Sequence, residues 1–236
     1  MEGACKITII DYNNRVNGNT AAKNNLVTLT CPLSSPSCHY KMPPQRKRRT
    51  VAPTDHTQQS KMNILNVGYA SSNYYLIGQN TTRLLIDVGW PGTLPKLLNI
   101  FKRKRVPLQD VKYLLVTHYH PDHVGLAQEV KSIGTQLVVL ENQLSFIPKL
   151  RKYMKPSNPF LEITLNDNLN LSFIDSRVFL LHLGIKGEII HTPGHTDDSI
   201  SLILDEGIAF TGDLPGPKWG RRFNAPGRNE LAENTI

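Results

Sequence analysis

The segment THYHPDH, residues 117–123, holds three of the chain's eight histidines and one aspartate within six positions. Alternate side chains of an extended segment point the same way, so His118 and His120 can face one point in space. A proline then ends the extended run. Asp122 and His123 follow at a turn into a helix, where they can reach a second point nearby. The spacing therefore predicts two adjacent metal sites.

The charge of the chain is distributed unevenly. The formal net charge is +8, but nine of the 27 Lys and Arg residues and only three of the 19 Asp and Glu residues lie in residues 1–61. The remainder therefore carries a net charge of only +2, which argues against a nucleic-acid partner for the main domain. No apolar run approaches the roughly 20 residues that span a bilayer, and no secretory signal is visible. We expect a cytoplasmic protein without a membrane partner.

Residues 1–61 show no sustained period of 2 or 3.6 and are rich in Asn, Thr, Ser and Pro. Such a composition predicts a disordered or non-native basic leader. All three cysteines lie there, so no disulfide framework supports the rest of the chain. Because Met62 begins the first convincing strand, we hypothesise that it is the native start and that residues 62–236 form the functional domain.

From Met62 onward, short β-rich runs alternate with amphipathic segments. The predicted strands lie near residues 63–68, 73–78 and 83–88 and in the runs VKYLLV, QLVVL, GEIIH, SISLIL and IAF. The predicted helices lie near residues 94–105, 122–134 and 142–152. This order opens with a β-meander and then interposes helices, which favours packed α and β layers.

Three further motifs place polar side chains at the ends of predicted strands. HTPGHT supplies His191 and His195, FTGD supplies Asp213, and LLIDVG supplies Asp87. A carboxylate at the end of an apolar strand needs a charged partner or a metal. The strand ends can therefore converge on the THYHPDH segment. His182 lies outside every motif, and we predict no role for it.

In this order, the motifs LLIDVG, THYHPDH, HTPGHT and FTGD resemble the metallo-β-lactamase-fold hydrolase superfamily, with the glyoxalase II and lactonase branch the nearest in pattern. The resemblance runs from about residue 62 to 215. It implies the α+β class, as an αββα sandwich with the metals at one edge of its two sheets.

The resemblance also implies roles for individual residues. One metal would be held by His118, His120 and His195. The other would be held by Asp122 and His123, and Asp213 would bridge the two. The remaining motif residues, Asp87 and His191, would support the ligands from behind.

Imidazole and carboxylate donors suit two Zn²⁺ ions, although Fe or Mn can occupy the same ligands. A hydroxide generated between the metals would attack a carbonyl or phosphoryl centre. Asp122 would orient the nucleophile and move a proton, which makes it the predicted catalytic residue.

The chain departs from the family pattern after Asp213. The family places a further histidine there, with a closing strand and helix, whereas this chain has no histidine after His195. Either the gene is truncated or another residue takes the place of the missing ligand. We expect the second metal site to be incomplete and to bind more weakly.

A bridging aspartate after FTG resembles the thioester and lactone hydrolases of the superfamily more than its antibiotic-degrading members. The predicted function is metal-dependent hydrolysis of a small-molecule thioester, lactone or other ester. Three alternatives remain open: a β-lactam hydrolase, a phosphodiesterase or nuclease of the same fold, and a catalytically impaired metal-binding fragment.

Overall fold

The computed structural model describes residues 5–10, 26–31, 62–70, 72–79 and 81–214. Its strands are β1 (Cys5–Ile10), β2 (Leu26–Cys31), β3 (Ile64–Asn66), β4 (Tyr75–Gln79), β5 (Thr82–Ile86), β6 (Val111–Leu115), β7 (Gln136–Leu140), β8 (Leu169–Leu171), β9 (Gly187–His191), β10 (Ile200–Leu204) and β11 (Ile208–Phe210). One sheet has the order β2-β1-β11-β10-β9, and the other has the order β3-β4-β5-β6-β7-β8.

The six-stranded sheet begins as the predicted meander. Strands β3, β4 and β5 pair antiparallel, and β5 through β8 then pair parallel. Parallel neighbouring strands need crossover connections. Here these connections contain helices, which therefore lie on the faces of the sheet. Consecutive parallel strands also end at the same edge, which brings their carboxyl ends together.

The helices are α1 (Leu94–Arg103), α2 (Pro121–Val124), α3 (Ala127–Ser132) and α4 (Ser176–His182), with 3-10 helices at Leu108–Asp110 and Ile147–Tyr153. The single helix predicted over 122–134 is therefore divided. At the break, a Cβ on Gly125 would lie 2.3 Å from Cδ of Pro91, and Leu126 is fully buried. Close packing at this point overrides the helical pattern of the sequence.

Each face of the six-stranded sheet covers a separate hydrophobic core. Leu76 and Leu85 point toward the helical side, where α1 and α3 pack. Their neighbours Ile77 and Leu84 point to the opposite side, toward Phe210 of the five-stranded sheet. This alternation follows the two-residue period of a strand and leaves the six-stranded sheet buried on both faces. The α+β class is confirmed, with two sheets packed face to face.

Two strands lie within residues 1–61, where the sequence predicted none. β1 pairs parallel with β11 and antiparallel with β2, so β1 and β2 are two of the five strands of that sheet. The other residues of the predicted leader, including its basic PPQRKRR run, lie outside the described residues. The non-native origin of the leader stays a prediction. Within the described ranges, no helix has the length and apolar character needed to cross a membrane.

Candidate metal centre

The predicted site residues come from both sheets and meet at one edge. Each of them lies just beyond a strand or in the segment that follows it, except His191, which is the last residue of β9. Asp87 follows β5, the histidines and aspartate of THYHPDH follow β6, His195 lies between β9 and β10, and Asp213 follows β11. Strand ends of both sheets thus supply the donors, as the sequence motifs indicated.

Three imidazoles form the first donor group, at the surface side of this edge. Nε2 of His118 and Nε2 of His195 each lie 3.1 Å from Nδ1 of His120. All three donor atoms lie within 4.8 Å of one another. Tetrahedral zinc with Zn–N distances of about 2.0 to 2.1 Å would separate its ligand nitrogens by about 3.3 Å. The spacing of this group therefore fits one tetrahedral cation.

The electrostatics of this group also favour a cation over protons. Burial lowers the pKa of His118 well below its usual value, and the neighbouring imidazoles of His123, His120 and His195 lower it further. Burial and the nearby His195 likewise lower the pKa of His120. The two rings are therefore neutral near pH 7 and present lone pairs to the space between them.

A second donor group consists of His118, His123 and Asp213, again with all donor atoms within 4.8 Å. Nε2 of His123 lies 3.2 Å from Oδ1 of Asp213. The other carboxylate oxygen of Asp213 lies 3.6 Å from Nε2 of His195. The Asp213 carboxylate therefore lies between the rings of His123 and His195.

Asp87 orients the ring of His123 from behind. The Asp87 carboxylate is fully buried and accepts hydrogen bonds from the backbone N–H of Thr117 at 2.7 Å and from its hydroxyl at 2.8 Å. It also lies 2.8 Å from Nδ1 of His123. A proton on Nδ1 leaves Nε2 as the atom that faces Asp213. Asp87 has φ +60°, a left-handed conformation that aspartate tolerates better than most residues.

The neighbouring carboxylates of Asp87 and Asp213 raise the pKa of His123. Burial alone would lower its pKa, but the charge of Asp87 and the hydrogen bond to Asp213 outweigh that effect and raise the pKa to about 10. Burial raises the pKa of Asp87, and its contacts with His123 and Thr117 oppose that rise. A cation bound at Nε2 of His123 would take the place of a proton there.

Thr117 links this support to the first group, and sequence reasoning missed its role. Its hydroxyl donates to Asp87 and lies 3.3 Å from Nδ1 of His118, from which it can accept. The backbone at Gly212 passes so close that a Cβ there would lie 2.5 Å from this hydroxyl, and Gly212 has φ +65°. In the sequence, Thr117 directly precedes the predicted ligand His118, and Gly212 directly precedes the predicted ligand Asp213.

Asp198 and Gln143 join the segments that carry the histidines, and neither was predicted. The backbone N–H of Tyr119 donates to Oδ2 of Asp198 at 2.7 Å. Nε2 of Gln143 donates to the carbonyl of Val116 at 2.9 Å and lies 3.4 Å from the carbonyl of Asp198. Both side chains are buried. The loop that bears His195 is therefore tied to the segment that bears the other two histidines.

We predict that Asp198→Ala weakens metal binding about 10-fold, a size typical of residues that support ligands, because the histidine segments lose their shared acceptor. The orphaned N–H of Tyr119 should also lower the free energy of unfolding by about 1 to 3 kcal/mol. The matched control is Asp197→Ala, since Asp197 is adjacent but exposed. Metal titration and thermal melts of both variants check this. Equal effects of the two substitutions would contradict it.

Three other residues considered in the sequence lie outside both donor groups, which were searched among the described residues. The Asp122 carboxylate is 30% exposed and lies 3.7 Å from Nε2 of His123. The exposed His191 contacts the carbonyl of Asp197 through Nε2 at 2.7 Å, so it contacts the loop that bears His195. His182 is exposed at the end of α4, away from the motifs.

A cleft of about 270 Å³ lies beside the first group. Its walls come from the His195 loop and from the 3-10 helix Ile147–Tyr153, which the sequence predicted as an ordinary helix. The residues that line the cleft include His120, His195, Phe146, Lys149, Tyr153 and Asp197. A small molecule can therefore reach the exposed side of the imidazole group.

Histidine and aspartate donors at one edge of two packed sheets define a metallohydrolase type of site. Residues 67–222 match the metallo-beta-lactamase superfamily, and the chain belongs to this family. The resemblance inferred from the sequence motifs is thereby confirmed at the level of the superfamily.

Curated relatives share between a quarter and a third of their residues with the matched region. A "Beta-lactamase-like protein 2 homolog" of Drosophila melanogaster is 27% identical over 60% of this chain and 46% of its own length. A "Probable metallo-hydrolase" of Methanocaldococcus jannaschii is 31% identical over 62% of this chain and 68% of its own. An "Atrochrysone carboxyl ACP thioesterase" of Claviceps purpurea is 25% identical over 61% and 40%.

Among solved structures, the metallo-β-lactamase MIM-1 of Novosphingobium pentaromativorans superposes with a TM-score of 0.49 at 19% identity. The superposition covers 62% of this chain and 56% of that enzyme. The chain spans less than half the length of the Drosophila relative.

Proposed function

We propose that the chain is a metal-dependent hydrolase that cleaves a thioester, lactone or other ester. The observation that carries this proposal is the convergence of three imidazole nitrogens, 3.1 Å apart in two pairs, next to an open cleft. Three imidazole nitrogens held this close together can share one cation, which would bind a lone pair from each of them.

In this proposal, His118, His120 and His195 hold one Zn²⁺. His123 and Asp122 would hold a second, weaker one, and Asp213 would contribute its two carboxylate oxygens to both sites. The separations between His123, Asp213 and His195 support the bridging role. The wider 3.7 Å separation of Asp122 from His123 is compatible with a carboxylate that also serves another purpose.

Zinc bound at these donors would supply an activated water and would polarise the substrate oxygen. The protein's own part is to orient the reactants and move the proton. The partly exposed carboxylate of Asp122 can accept a proton from the attacking water through Oδ2 and pass it to the leaving group. Its backbone is held by the hydroxyl of Tyr74, which donates to the carbonyl of Asp122 at 3.1 Å. His120 and His195 line the cleft, where the acyl group of the substrate would lie.

The acyl substrate class is supported by two observations. The cleft of about 270 Å³ suits a small group rather than a polymer, and one relative is named as a thioesterase. A cytoplasmic location, drawn from the sequence, stays part of the proposal.

We predict that the purified full chain binds between one and two equivalents of zinc and hydrolyses activated thioesters and lactones slowly. Added zinc should raise the rate, because excess ion fills the weaker site by mass action. Metal analysis and initial rates at increasing zinc concentration measure both. Stoichiometry near zero after refolding with zinc would refute the metal centre. Two bound metals with cleavage of only phosphodiesters or β-lactams would refute the substrate class.

A further inference from the structure

One wall of the cleft is built from an unusually basic part of the chain. Between Glu141 and Glu162 the sequence has four cations and no acidic residue, namely Lys149, Arg151, Lys152 and Lys155. All four lie within the described residues, and Lys149 is the one among them that lines the cleft beside the histidines. The lining also includes the carboxylates of Asp197 and Asp198, so Lys149 is the lysine or arginine of this lining that can attract an anionic group.

The ammonium group of Lys149 has a defined place on this wall. Its Nζ lies 4.1 Å from the centroid of the Phe146 ring, and Phe146 lines the same cleft. The negative face of an aromatic ring attracts a cation placed over it. The contact therefore restricts the Lys149 ammonium group to a position against the cleft wall. Binding an anion then costs less side-chain conformational entropy.

Lys149 lines the same cleft as His120 and His195. Tyr153, with 59% of its surface exposed, places its ring 5.4 Å from the ring of His120. Lys149 precedes Tyr153 by four residues in the 3-10 helix. A rise of about 2.0 Å per residue separates the two positions by roughly 8 Å along the helix axis. Because the cleft has a volume of about 270 Å³, one small molecule can contact Lys149 and the imidazoles together.

We propose that Lys149 binds a carboxylate at the non-reacting end of the substrate. The substrate would then be a small ester, thioester or lactone with a single negative charge, and this inference rests on the proposed hydrolase function. A monoanion fits better than a phosphate dianion, because Asp197 and Asp198 also line the cleft and would repel additional negative charge.

Thiol probes test this inference without turnover. The full chain is loaded with Co²⁺, and the thiolate-to-cobalt absorption band is titrated with 4-mercaptobutyrate and with its neutral counterpart butane-1-thiol. We expect the charged probe to bind roughly 10-fold more tightly, in line with one charge-assisted hydrogen bond. Lys149→Gln should abolish this preference. The matched control Lys152→Gln, in the same exposed helix, should retain it.

Each other outcome overturns the inference in a distinguishable way. A preference that persists in Lys149→Gln means that the carboxylate binds elsewhere, for instance to the metal, while the hydrolase proposal stands. Cobalt binding without a thiolate band means that the cleft does not lead to the metal. Absence of cobalt binding refutes the metal centre itself. Lys149-dependent displacement of 4-mercaptobutyrate by a single-stranded oligonucleotide would assign the cation to a nucleic-acid backbone.

Discussion

His118→Ala is expected to weaken metal binding more than about 100-fold and to abolish metal-dependent hydrolysis, because it removes one of the three imidazoles proposed to hold the first Zn²⁺. The donor atom of His118 also lies within 4.8 Å of those of His123 and Asp213, so its loss changes the surroundings of the second proposed position as well. Zinc titration by calorimetry and metal analysis after gel filtration measure the effect.

His182→Ala is the matched control, since it removes the same ring from an exposed position on α4. Its metal content and hydrolysis should remain near wild type. The two variants should also melt at similar temperatures without metal. If His182→Ala lost as much metal as His118→Ala, the loss would arise from misfolding or from a third ligand site.

Asp87→Asn is expected to have the second large effect, and on two properties together. The substitution keeps the size of the side chain and its tolerance of a left-handed backbone, but it removes a fully buried charge opposite His123. Breaking a buried charge pair by removing one partner destabilises a protein by about 3 to 5 kcal/mol. The ring of His123 also loses the acceptor that fixes its orientation, so the second metal should be lost first.

Denaturant unfolding and metal stoichiometry test this prediction, with Asp205→Asn as the control. Asp205 pairs with Arg177 at 3.0 Å, but both side chains are more than 40% exposed. An exposed pair of this kind contributes about 0 to 1 kcal/mol. Comparable destabilisation by the two substitutions would show that Asp87 is an ordinary ion-pair partner. Retention of both metals in Asp87→Asn would show that His123 needs no orienting carboxylate.

The motifs were sufficient to predict the strand ends and the residues that meet there. His118, His120 and His195 converge because each lies just after or between apolar strands, and such strands are recognisable from the sequence. The meander of β3, β4 and β5 was predicted for the same reason. The roles of His118, His120 and His195 as metal ligands stay predictions.

The contacts behind those residues could not be predicted. Asp198 and Gln143 act through backbone groups far away in sequence, and no periodic pattern marks such partners. Helix α4 escaped notice because Val178 and Leu181 are 56% and 53% exposed, which obscures its amphipathic pattern. The hairpin of β1 and β2 lies in a segment whose composition favoured disorder.

The division of the donors between two sheets has a thermodynamic consequence. His118 and His120 follow a strand of the six-stranded sheet, whereas His195 and Asp213 follow strands of the five-stranded sheet. A cation shared by these side chains would cross-link the sheets, so its binding free energy would add to that of their packing. The free metal concentration would then set the folded fraction of the chain as well as its catalytic competence, and a shortage of the ion would deplete the protein itself.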